Sequence, residues 1–274
     1  MFNRVIVPID GSDFSWRAIG PASALAVQCD AVLEVLQIVT LPEDVPTAQK
    51  ILREQLAVAN LSPEQSAATE LTVLVMGSSV AETISERVEQ MVGSIIVMSS
   101  VGRGRSAALI GSIAEELLGS LFGPVMLVGP DAATGRADFR GNLIVPVDGS
   151  ETSESALGLA AAWGIALEAA PWILLVGDPD AQVASDVAES SYPSRLAQDL
   201  SQKSNHRVEF EVLRDKHPAK AIADHARTID AGLIIASTHG RTGLARIRAG
   251  SVAMGLVRHA PCPVVLNRPP HLAD

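Results

Sequence analysis

Short aliphatic runs alternate with longer, half-polar segments along the whole chain. The runs at 4–9, 32–39, 71–76, 94–98 and 124–128 are rich in Val, Ile and Leu and too short for helices. They predict strands. Segments 12–28, 47–59, 80–91 and 110–121 between them predict helices. A second series of strands opens at Leu143, Trp172, Val208, Leu233 and Val264. Short apolar strands separated by helices point to βαβ units and a parallel sheet.

The two series are one pattern written twice. "NRVIVPIDGSDFSWRA" at 3–18 returns as "GNLIVPVDGSETSESA" at 141–156, which places Asp10 on Asp148, 138 residues apart. The same offset carries Ser99 to Ser237 and Gly102 to Gly240. One extra residue then enters the second copy, so Gly111-Ser112 matches Gly250-Ser251. A period this long is a domain, not a solenoid unit. The division expected is 1–130, a linker at 131–140, and 141–274. The segment "GPDAATGRADFRG" has no apolar periodicity and suits a connection.

Composition narrows the picture. Hydrophobic residues are 47% and charged residues 19%, enough for a well-buried core, and aromatics are only 3%, so that core is aliphatic. The net charge of −10 argues against a nucleic-acid or anionic-membrane surface, which needs a basic footprint. Cys29 and Cys262 stand alone, so a disulfide framework is not expected and a reducing compartment is. No apolar run reaches the ~18 residues of a membrane span. The opening apolar run turns polar at Asp10, too early for a signal peptide. A cytoplasmic protein is expected.

In an open parallel sheet, ligands sit beyond the carboxyl ends of the strands. Three features of the second copy meet there: Asp148 ends the first strand, "STHGRTG" follows the fourth, and Gly250-Ser251 opens the last helix. Free amides and the dipole at a helix start favour an anion. Glycines allow close backbone approach.

These residues resemble the universal stress proteins. That family has a first strand ending in Asp and a motif Gly-x2-Gly-x9-Gly-Ser/Thr after the fourth strand. Gly240 and Gly250 are separated by nine residues, and Ser251 follows. The resemblance covers nearly the whole chain, twice. It implies an α/β fold of two repeated open five-stranded parallel-sheet domains, Rossmann-like, of strand order 3-2-1-4-5 and flanked by helices. It also implies an edge strand in each repeat that pairs with its counterpart, here 125–128 with 264–267 in antiparallel fashion. Adenine nucleotide is the implied ligand, specifically ATP, alone or with Mg²⁺. The resemblance sets the Asp against the adenosine and the backbone at the end of the second strand against adenine. It sets the glycine loop and helix start against the phosphates. In the second copy those positions are Asp148, Val176, Ser237, His239, Gly240, Arg241, Gly250, Ser251 and Val252. In the first they are Asp10, Ile38, Ser99, Gly102, Gly111 and Ser112.

Two departures matter. The motif's first glycine is Ser99 in one copy and Ser237 in the other. The first copy also has only eight residues between Gly102 and Gly111, and Ser100-Val101 in place of Thr238-His239. The second copy is therefore the better nucleotide candidate.

Other patterns are weaker. "GRGRSA" at 102–107 fits a loose dinucleotide pattern, but that pattern belongs after the first strand of its unit. There is no GxxxxGK[ST] loop. Asp148, His239 and Ser251 lack a nucleophile elbow. His217 and His225 read as surface histidines and not metal ligands, and Cys262 reads as a small apolar core residue. Asp10 and Asp148 could equally be helix-start residues. The function expected is a nucleotide-binding regulator or sensor of stress, at most a slow ATPase because no general base is placed for attack on a phosphate. The alternative is a scaffold of the same fold that has lost nucleotide and works through protein contacts. A homodimer and a protein partner both stay open.

Overall fold

A computed structural model of the chain describes residues 2–59, 61–62, 65–66, 68–102, 110–121, 123–180, 186–204, 207–238 and 250–268. The first half runs β1 (Arg4–Ile9), α1 (Asp13–Trp16), α2 (Ile19–Cys29), β2 (Val32–Val39), α3 (Val45–Val58), β3 (Thr69–Val75), α4 (Val80–Gln90), β4 (Ser94–Ser99), α5 (Ser112–Ser120) and β5 (Val125–Val128). The second half repeats the order. It has β6 (Gly141–Val147), α6 (Glu151–Glu154), α7 (Ala156–Ala166), β7 (Ala169–Gly177), α8 (Asp186–Ser204) and β8 (Glu209–Arg214). It closes with α9 (Pro218–Thr228), β9 (Ala231–Ser237), α10 (Ser251–His259) and β10 (Val264–Asn267).

All ten strands join one sheet, in the order β3-β2-β1-β4-β5-β10-β9-β6-β7-β8. Each half has the expected 3-2-1-4-5 order and is parallel throughout. The two halves meet where β5 and β10 run antiparallel, with Val125 opposite Leu266, Met126 opposite Val265 and Leu127 opposite Val264. The physical reason is the edge. Every residue of β5 is buried, and an apolar edge left open would pair with something. The sheet is therefore mixed only at its seam.

Strands near the seam are apolar on both faces because helices cover both. One aliphatic layer runs under α2 and α7 and contains Val5, Val35, Val145 and Trp163. The other lies under α5 and α10, with Ile96, Leu117, Ile234 and Leu256. Each layer crosses the seam, and the second half adds a smaller cluster of its own under α7 and α8, with Ile173 and Leu200.

The predicted helix over 12–28 is broken. Ser12 caps α1, its Oγ accepting from the Ser15 amide at 3.3 Å. Pro21 then lacks the N–H that a continuous helix would send to the Arg17 carbonyl, and α2 starts afresh at Ile19. Ser155 marks the same break in the second half, its Oγ donating to the Thr152 carbonyl at 2.7 Å. Other helix starts follow familiar chemistry. In "SVAE", Ser79 caps α4 by accepting from the Glu82 amide.

At the amino ends of the strands the halves differ. In the first half Glu34 is fully buried between Arg4 and Arg87, at 2.8 and 2.9 Å, and Arg4 also reaches Glu70. The offset of 138 residues carries Arg4, Glu34 and Arg87 to Asn142, Trp172 and His225. There the Trp172 indole donates to Asn142 at 3.0 Å, and the His225 ring lies 5.7 Å from the Trp172 ring. His225 is thus half-buried against an aromatic ring, not a surface histidine, because the strand beneath it carries Trp where the first half carries Glu. His217 is exposed at the start of α9. Cys262 is a core residue, 2% exposed, and burial pushes its thiol up to about 12.

Candidate functional site

The carboxyl ends of β1 and β4 in one half, and of β6 and β9 in the other, each open onto a cleft. The antiparallel seam points these two clefts in opposite directions along the sheet. Each is built by the same local devices.

In the second half, Asp148 follows β6. Its Oδ1 accepts from the Ser150 amide at 3.1 Å and from the Ser150 hydroxyl at 2.5 Å. Its own amide donates to Ser153 Oγ at 3.2 Å. Ser150, not Asp148, is the cap of α6, so the Asp is a clamp on the turn and not the helix-start residue. Thr238 follows β9, fixed by its amide to the Asn267 carbonyl at 3.0 Å, and its own carbonyl accepts from the Gly250 amide at 2.6 Å. That bond places the start of α10 beside the end of β9. Gly250 caps α10 with no side-chain hydrogen bond, so the first amides of that helix are not used by a cap.

The cleft between these parts has a volume of about 270 Å³. Asp148, Val176, Ser237, Gly250, Ser251 and Val252 all line it, with Ile222 and Leu256 as apolar floor. Ser237 is buried, whereas Ser251 is exposed. His239, Gly240 and Arg241, together with Arg246 and Arg248, lie outside the described residues.

The first half reproduces the frame. Asp10 Oδ1 accepts from the Ser12 amide at 2.9 Å and the Ser12 hydroxyl at 2.6 Å. Ser100 and Gly111 repeat the bonds of Thr238 and Gly250, at 3.0 and 2.8 Å. The cleft here is about 370 Å³ and is lined by Asp10, Ile38, Ser99, Gly102, Gly111 and Ser112. Two further contacts shape it. Ser99 Oγ folds back to accept from the Val101 amide at 3.3 Å. Gly102 lies on the Asp10 carboxylate, where a Cβ would stand 2.9 Å from Oδ2. Arg103 and Arg105 lie outside the described residues.

One residue near the second cleft was not among the sequence candidates. Tyr192 of α8 donates its hydroxyl to Glu154 Oε1 at 2.8 Å, beside the backbone of Gly149 in the Asp148 turn. Burial, and then the Glu154 carboxylate, hold the phenol well above its ordinary range, so it is a neutral donor. Its one sequence signal is that the chain has a single tyrosine.

Fold and site together define the class: a doubled open α/β sheet with a cleft at the carboxyl ends of the strands in each half. The universal stress protein family model matches residues 1–129 and again 140–268. The chain belongs to the universal stress protein family, as a tandem member. A universal stress protein of Mycobacterium tuberculosis is 26% identical over 306 aligned positions, covering 97% of this chain and 95% of that protein. One from Mycolicibacterium smegmatis is 27% identical, covering 97% and 86%. Among solved structures, a universal stress protein from Archaeoglobus fulgidus superposes with a TM-score of 0.71 at 19% identity, covering 97% of this chain and 98% of that one. That likeness concerns the fold.

Among the described residues, no helix is long and apolar enough to cross a membrane. No group of three His, Cys, Asp or Glu side chains there could hold a metal ion.

Proposed function

We propose that the chain binds ATP in the cleft of its second half and acts as a cytoplasmic nucleotide-dependent regulator or sensor of stress. The observation that carries this is the convergence of Asp148, the backbone end of β7 at Val176 and the uncapped start of α10 on one cleft. Each suits a different part of the ligand. A carboxylate accepts hydrogen bonds from ribose hydroxyls. Backbone N–H and C=O at the end of a strand match adenine N1 and N6, and guanine presents the reverse pattern. Helix-start amides and their dipole suit phosphate. If Mg²⁺ accompanies the nucleotide, the phosphates themselves would be its main ligands.

Among the described residues nothing places a base to activate water, and the proposal is a binding protein with at most slow turnover. The second reading, a scaffold that has lost nucleotide, is favoured by one observation: a buried Ser237 lines the cleft where the family motif has glycine.

Two measurements separate them. Mass spectrometry of nucleotide released from the purified chain should find adenine nucleotide. Calorimetry should show ATP binding at least about tenfold tighter than GTP, some 1.4 kcal/mol, the scale of a mismatched hydrogen bond. Equal affinities would overturn the orientation, and no binding of either would leave the scaffold.

A further inference from the structure

The turn that carries Asp148 is held from behind. Asp148 lines the second cleft, whereas Tyr192, Glu154 and Gly149 stand outside its lining. Tyr192 of α8 donates its hydroxyl to Glu154 Oε1 at 2.8 Å, and the Gly149 backbone stands beside the phenol oxygen. Glu154 closes the short helix α6, which opens at Ser150. One side chain from a distant helix thus meets the turn at Gly149 and the helix that follows it at Glu154.

The turn needs such a restraint. Gly149 sits at φ +85°, a region that glycine enters and leaves more freely than other residues. The phenol is placed to supply it. Its ring packs on the apolar cluster that includes Val147, the neighbour of Asp148, and the Arg195 guanidinium lies 6.0 Å from its centre. A half-buried phenol needs a partner for its hydroxyl, and Glu154 is that partner.

Between Glu154 and Asp148 the hydroxyls run in one direction. Thr152 Oγ1 donates to Ser150 Oγ at 3.0 Å, and the Ser153 amide donates to the same oxygen at 3.2 Å. Ser150 accepts from both, so its own proton goes to Asp148 Oδ1, at 2.5 Å.

The fold alone does not create this tie. The offset of 138 residues puts Phe14 where Thr152 stands and Trp16 where Glu154 stands, and Tyr192 is the single tyrosine of the chain. Phenylalanine cannot donate a hydrogen bond and tryptophan cannot accept one from a phenol, so the first half cannot build the same support.

We propose that Tyr192 is a positioning residue of the second cleft, fixing Asp148 through Glu154 and the Gly149 turn in the geometry that selects a ribose with its hydroxyls. This rests on the nucleotide reading above. A carboxylate held in one orientation accepts well from ribose hydroxyls. Loosening it loses that contact and spares the base and phosphate contacts assigned to Val176 and the start of α10.

The test is calorimetric titration of the full chain with ATP and with 2′,3′-dideoxy-ATP, which lacks both ribose hydroxyls. The intact chain should prefer ATP by roughly tenfold or more. Tyr192→Phe removes only the phenolic hydroxyl. It should cut the preference to about threefold or less, weakening ATP while the dideoxy nucleotide binds nearly as before. Glu154→Leu should do the same, and Glu154→Gln, which keeps an acceptor for the phenol, should retain more of the preference than Glu154→Leu. A role in stability alone would weaken both nucleotides alike. An unchanged ratio in Tyr192→Phe, or loss of both nucleotides together, therefore overturns the proposal. An intact chain that binds ATP no better than the dideoxy form overturns it while leaving the nucleotide reading in place. No ATP binding to the intact chain overturns both.

Discussion

Glu34 is the least forgiving polar residue in the first half. It is fully buried, and its charge is tolerated only because Arg4 and Arg87 reach it from either side. Removing one member of such a set leaves the others buried and unpaired, whereas replacing all of them can be nearly neutral. Glu34→Leu should therefore destabilise the chain by roughly 3–5 kcal/mol. The joint change Arg4→Asn, Glu34→Trp and Arg87→His, which copies the second half, should cost less than that single change. Urea denaturation of both variants checks this, and a triple variant less stable than Glu34→Leu would contradict it. The clamp residues Asp10 and Asp148 were legible in the sequence because "DGS" recurs at the end of two aliphatic runs. The supports around them were not: Ser153, which accepts from the Asp148 amide, sits three positions into a helix and carries no pattern, and Tyr192 reaches the turn through Glu154 from a distant helix.

At the level of elements, the strands were the most readable part. β1 and β2 fall where the aliphatic runs at 4–9 and 32–39 placed them. β3 starts at Thr69, two residues before the run at 71–76, because pairing with β2 continues to Leu33 opposite Thr69 whatever the hydropathy there. The break between α1 and α2 was hidden because Pro21 lies near a helix start, where proline is tolerated. The docking of the linker was also invisible, since it depends on contacts between distant segments. Gly129 shows how tight that docking is: a Cβ there would meet the Val257 carbonyl oxygen of α10. Gly129→Ala should cost roughly 1–3 kcal/mol by overpacking, although alanine suits the backbone otherwise. A urea midpoint equal to that of the unmodified chain would show that the linker yields instead.

Over the whole molecule, the seam governs behaviour. β5 and β10 sit at the centre of ten strands, and both aliphatic layers cross them. Their amides, Met126 and Val265 among them, should be the slowest to exchange hydrogen, and those of the outer strands β3 and β8 the fastest. Seam exchange as fast as that of the edges would mean that the halves part readily in solution. That pairing could be foreseen because two apolar edges in one chain need cover.

The same antiparallel seam sends the two clefts to opposite ends of the sheet, so each binds or fails to bind by its own chemistry. The first is one residue short between Gly102 and Gly111, while the second keeps the nine-residue spacing to Gly250. Gly250 is the cap at which α10 opens and Gly111 the cap at which α5 opens, so valine at either brings a branched side chain to that helix start. Calorimetric titration of ATP into the intact chain, Gly250→Val and Gly111→Val therefore tests the nucleotide site most directly. ATP should bind the intact chain and Gly111→Val, and binding should be lost in Gly250→Val. No ATP binding to the intact chain, or undiminished binding to Gly250→Val, would contradict it.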